Sequence, residues 1–192
     1  MYYLKRTFPY LLVIIFTAIT GYSVASLDLV TKTFAVIMGV LNFAVYVIML
    51  GSVAFKDGQD AYKTLLANDL ERKQIVKTGE DRPLKLKEEY KIWKGFFIGG
   101  LAVSPLVLLF FLDLVFGKSL NLTTVFGWLT DYVSMAIYAP IKIFFGSCFR
   151  EICFVVVAIN ILICGALYYL GAKKIMLRQQ KVKDIHNQIY GE

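Results

Sequence analysis

The sequence predicts an all-α, polytopic membrane protein with four transmembrane helices, and three observations carry that prediction. Apolar residues make up 58% of the 192, with a mean hydropathy of +0.62; a soluble domain of this length has about 45–50%. The excess is gathered into runs of about twenty residues, enough at ~1.5 Å rise per residue to cross a hydrocarbon layer of roughly 30 Å. Between the runs lies one long polar stretch, residues 56–94, with ten Lys or Arg and eight Asp or Glu. The expected spans are about 8–27, 33–55, 95–116 and 152–171. The polar stretch is expected as a cytoplasmic helical hairpin, 117–149 as an extracytoplasmic interfacial segment, and 172–192 as a cytoplasmic basic tail. Five spans are the alternative, with 123–147 as the fifth.

In order along the chain, Lys5 and Arg6 stand directly before the first apolar run. A basic start, an apolar middle and Ser23-Val24-Ala25 also fit a cleaved signal peptide. The run outlasts a signal core, however, and a second span follows almost at once, so a retained helix is expected. The second run, 33–55, carries no formal charge. Ala35 and Gly39, four apart, allow close helix approach, and Asn42 is the run's one amide, able to hydrogen-bond across helices for about 0.6–2 kcal/mol. These three residues are candidate helix-packing positions.

Within the polar stretch, Ala61, Leu65, Leu66, Leu70 and Ile75 recur at spacings near four. That period predicts an amphipathic helix over 57–77 that continues the second span. Gly79 is placed to cap it in the left-handed conformation, and Pro83 forbids continuation. A second short helix, about 85–93, is expected to lead back, with Tyr90 and Trp93 at headgroup level beside Lys91 and Lys94. The acidic pairs Asp57/Asp60 and Glu80/Asp81 lie among basic residues with no His or Cys nearby. A solvated, self-paired charged face accounts for them.

The third span opens with Gly95 and Gly99, a GxxxG pair and a second candidate packing face. Pro105 removes a backbone bond near its middle and predicts a kink. Asp113, near the far end, is costly in hydrocarbon and so marks a candidate polar path. Asn160, at the centre of the last run, is the other candidate for that path. Segment 117–149 is interrupted by Asp131, Pro140 and Lys142, and its polar and apolar faces suit an interfacial helix. The tail carries five basic residues and resembles an amphipathic helix that rests on anionic lipid.

The charges set the predicted orientation. Two Lys or Arg precede the first span, ten lie in the central stretch and five in the tail; only Lys32, Lys118, Lys142 and Arg150 remain of the 21. Short basic flanks stay cytoplasmic, so four spans with both termini inside a cell membrane put all 17 on one side. This also explains the net charge of +7 without a nucleic-acid partner.

Function is less legible. Cys148, Cys153 and Cys164 make an odd set without CxxC spacing, which predicts neither a disulfide framework nor a zinc site. No GxxxxGK[ST], HExxH or GxSxG occurs, so no catalytic residue, cofactor or metal is expected. The expected function is a non-enzymatic accessory or structural subunit of a membrane complex. Its expected partners are the lipid bilayer, other membrane subunits or further copies of itself, and anionic lipid at the tail. The alternative is a small transporter or channel working as an oligomer, with Asp113 and Asn160 lining its path.

Overall fold

The computed structural model describes residues 2–25, 32–79, 90–116 and 152–190. Among these there is no strand, and four helices carry the fold: α1 (Tyr2–Ala25), α2 (Lys32–Thr78), α3 (Ile92–Phe116) and α4 (Ile152–Tyr190). α2 packs on α1 and α4, and α3 packs on α4 and α1, so the spatial order around the bundle is α1, α2, α4, α3.

Cross-helix contacts set the directions. Tyr10 meets Asp57 and Thr17 meets Asn42, so α1 is antiparallel to α2. Gly51 faces Leu167 and Gly171 faces Phe55, so α4 runs parallel to α2. Gly95 faces Tyr168 and Gly99 faces Cys164, so α3 is antiparallel to α4. α3 therefore ends, and α4 begins, at the same end of the bundle. α2 and α4 have 47 and 39 residues against 24 and 25 in α1 and α3. At ~1.5 Å per residue they overrun the shorter pair by roughly 20–35 Å. Both overhangs project from the other end, as two parallel arms.

The amphipathic helix is one piece with the second apolar run, because nothing between residues 55 and 57 interrupts helical hydrogen bonding. At Thr78 it stops as predicted: Gly79 takes φ +63°, and its N–H donates to the carbonyl of Ile75 at 3.0 Å, an αL cap. Gly79→Ala is expected to cost about 1 kcal/mol, seen as roughly fivefold faster amide exchange in the last turn of the arm. Of the expected helix over about 85–93, the described residues are 90–93, and they do not form one helix. Tyr90 and Lys91 are non-helical and α3 opens at Ile92, so Trp93 belongs to α3; 85–89 lie outside the described residues. So do the interfacial segment 117–149, the proposed fifth span, and Glu80/Asp81. α3 continues through Pro105. The carbonyl of Leu101, which an ordinary residue 105 would engage, instead accepts from Ser104 Oγ at 2.8 Å, the kind of side-chain rescue that lets proline sit inside an apolar helix.

Among the described residues, two helices are long and apolar enough to cross a membrane, over Val36–Thr78 and Val157–Ile189.

Candidate functional site

The bundle interior is held by glycines and threaded by polar side chains. The tightest approach is between α2 and α4. A Cβ on Gly58 would lie 1.9 Å from the Tyr168 carbonyl oxygen, and one on Gly171 would lie 2.1 Å from that of Phe55. Only a residue without a side chain allows two helix backbones this close. α3 seats on α4 in the same manner: Gly95 lies under the Tyr168 ring, Gly99 against Cys164 Cβ, and Gly165 of α4 under Phe96.

The polar groups form a discontinuous string along the bundle axis. At the end away from the arms, Asn42 Nδ2 donates to the Thr17 carbonyl at 3.1 Å, and Asn42 Oδ1 accepts from Thr20. One turn further along α2, the Tyr46 hydroxyl accepts from Asn160 of α4, whose Oδ1 receives the Cys164 thiol at 3.5 Å. Tyr46, Asn160 and Cys164 are fully buried. At the arm end, the Tyr10 hydroxyl donates to Asp57 Oδ2 at 3.0 Å. Tyr10, Tyr46 and Cys164 belong to one core cluster, with Leu50, Ala54, Ile98 and Leu106 filling the gaps between polar nodes.

Asp57 departs from the expected solvated face. Asp60 pairs with Lys63 and Asp69 with Arg72, both exposed i,i+3 pairs of little energetic consequence. Asp57 instead turns inward to Tyr10. Burial raises its carboxyl above the usual range; the Tyr10 hydrogen bond and the Arg6 charge oppose that, and Asp60 adds to it. The sign follows. A carboxyl whose folded value is raised contributes its full stability below the ordinary carboxylate range, near pH 4, and loses it as pH rises through the folded value. Asp57→Asn keeps an acceptor for Tyr10 without the charge. The variant is therefore expected to melt no lower than wild type at pH 7, with the difference closing by pH 4. A variant that melts lower at pH 7 and recovers nothing in acid contradicts this account.

Of the sequence-predicted residues, Asn42, Gly95, Gly99 and Asn160 are buried at helix crossings, and Gly39 is buried in α2. Ala35 lies on α2 and Asp113 on α3, their side chains outside the described residues. Sequence reasoning passed over Tyr10, Thr17, Thr20, Tyr46 and Gly58. Tyr90 was expected at a headgroup surface. Its ring is held between Tyr62 (centroids 5.8 Å) and Tyr168 (5.4 Å, stacked), closing the junction where α2, α3 and α4 meet. Lys174 lies over the Phe55 ring at 5.3 Å. Among the described residues no three His, Cys, Asp or Glu side chains come together as a metal site requires.

Comparison of the chain with protein-family models, characterised proteins and solved structures finds no match in any of the three.

Proposed function

We propose that this chain is a four-span integral membrane protein of the cell membrane, with both termini cytoplasmic, acting as a non-enzymatic accessory subunit whose arms engage a partner. Inverted burial supports the membrane. Only 28% and 33% of the residues in the most apolar windows of α2 and α4 are buried, whereas a soluble core helix of such composition is mostly covered. Phe8, Leu12, Phe16, Ile37, Leu41, Ile48, Leu108, Phe111 and Leu162 face outward, while Asn42, Asn160 and Thr17 face inward. An exposed apolar belt on this scale marks a lipid or protein contact.

The end-to-end geometry favours four spans over five. A connection that leaves α3 and enters α4 at one end crosses the bilayer an even number of times, zero being the simplest. Lys5, Arg6, Lys56, Lys91, Lys94, Lys173 and Lys174 then gather at the arm end, the cytoplasmic one by the basic-flank rule. Lys173 and Lys174 are placed to meet anionic headgroups there. In sealed right-side-out cells, added trypsin is expected to leave the arms intact, and in inverted vesicles to cut at Lys77 and Lys181. Cutting from outside defeats this topology.

The observation that carries the subunit reading is the pair of arms themselves. Each is an unbroken extension of a spanning helix, and each exposes apolar side chains beyond the bundle: Leu70 and Val76 on α2, Val182, Ile185 and Ile189 on α4. Extraction in mild detergent at native expression level tests it. The protein is expected to migrate in an assembly larger than itself, and a chain that always runs alone ends the proposal. A transporter reading would rest on the polar string, whose groups are bonded to one another: Tyr10 to Asp57, Asn42 to Thr17 and Thr20, and Asn160 to Tyr46 and Cys164.

A further inference from the structure

Resting on the subunit reading, the geometry points to the kind of partner: we infer that the α4 arm pairs with an acidic amphipathic helix. The face of α4 that is buried at Tyr168 and half-buried at Ile175 does not end where the bundle does. It continues at heptad spacing through Val182, Ile185 and Ile189, which are 67%, 53% and 67% exposed. β-branched residues seven apart, with one more at the intervening position, form a helix-pairing seam. This seam has no cover among the described residues.

Charge selects among the occupants. Between 172 and 190 the arm carries five Lys or Arg against Asp184 alone, with Arg178 in the seam. A second copy paired in register would set Arg178 against Arg178. An acidic helix would set a carboxylate there and beside Lys181, which is favourable at every such position. A lipid surface fits less well. α4 has no proline or positive-φ residue from Ile152 to Tyr190, and at ~1.5 Å per residue its seam lies roughly 16–27 Å past Gly171 along the helix.

The test uses full-length protein in nanodiscs and two designed 21-residue fluorescent helices, both with Leu and Ile in the seam, one with Glu and one with Lys at the flanking positions. The Glu helix is expected to raise anisotropy and to protect Lys181 and Lys183 from trypsin, and the Lys helix to do neither. Val182→Glu with Ile189→Glu, both at exposed sites, is expected to weaken the Glu helix by at least about tenfold. Arg178→Glu with Lys181→Glu and Lys183→Glu is expected to transfer preference to the Lys helix. Equal binding of both helices overturns the inference, as does indifference to these substitutions. So does protection of Lys181 by anionic vesicles alone, or a detergent-stable dimer that Val182→Glu dissociates. If the native assembly survives Val182→Glu with Ile189→Glu, the arm inference falls while the subunit reading stands; a wild-type chain that migrates alone removes both.

Discussion

Gly58→Ala and Gly171→Ala are each expected to destabilise the bundle by about 3 kcal/mol, the upper part of the range for forcing extra carbon into a packed interface. At both positions the added Cβ meets a carbonyl oxygen of the facing helix, at 1.9 and 2.1 Å. A backbone atom cannot swing aside as a side chain can, so α2 and α4 must separate by about 1 Å or more along their crossing. That separation also withdraws dispersion contacts from Leu50, Ala54 and Cys164, since even a small radial gap forfeits a sizeable share of the contact energy. The two substitutions are relieved by the same movement. The double variant is therefore expected to cost little more than either single one, a departure from additivity typical of coupled sites. Gly100→Ala is the internal control. Its Cβ would meet only Ile161 Cδ1, at 3.9 Å, and alanine is the better helix former by about 1 kcal/mol, so that variant is expected to be neutral or slightly more stable. Thermal unfolding in detergent, followed by circular dichroism, reads all four. If Gly58→Ala melts like Gly100→Ala, α2 and α4 do not cross at this distance.

The crossing shows where the sequence was readable and where it was not. Gly51, Ala54, Gly58 and Ala61 form a stripe of small residues at three- and four-residue spacing, and all four are buried. The stripe runs straight across the change from apolar to charged composition at Lys56. Hydropathy divides α2 at that point into a span and an amphipathic helix, because it weighs transfer free energy and is blind to packing. The helix itself continues, since Lys, Asp and Gln are as compatible with helical backbone as Val and Ile. Period and punctuation were legible for the same physical reason: the cap at Gly79 depends on local φ and needs no tertiary partner. The inward turn of Asp57 was not legible. Its neighbours in sequence are charged, and only the antiparallel arrival of α1 brings the Tyr10 hydroxyl within 3.0 Å. Asn42 and Asn160 could be singled out as amides in apolar runs, but not their partners, because Thr17 and Tyr46 read as ordinary members of such helices.

Asn160 is where the two functional readings part. Asn160→Ala removes the donor to the Tyr46 hydroxyl and the acceptor of the Cys164 thiol, and leaves a void where the amide was fully buried. A buried hydroxyl stripped of its partner costs about 1–3 kcal/mol, and the unfilled volume adds to that, so a loss of about 2–3 kcal/mol is expected. Tyr46→Phe removes the hydroxyl but keeps the ring stacked near Phe43 (centroids 6.2 Å), and is expected to cost about 1 kcal/mol. In the double variant the two losses are expected to overlap by about 0.6–2 kcal/mol, the range of interhelical polar contacts in membranes. A cycle with no coupling would mean that the α2–α4 bond does not form. The same proteins, reconstituted in liposomes, separate a structural amide from a pathway amide. If Asn160 is interhelical glue, its replacement moves the melting temperature, and ion or solute flux stays at the protein-free level for variant and wild type alike. If it lines a path, wild-type protein alone supports flux and Asn160→Ala changes it. The geometry favours the first outcome: the fully buried amide gives its donor to the Tyr46 hydroxyl of α2 and its acceptor to Cys164, one turn along its own helix.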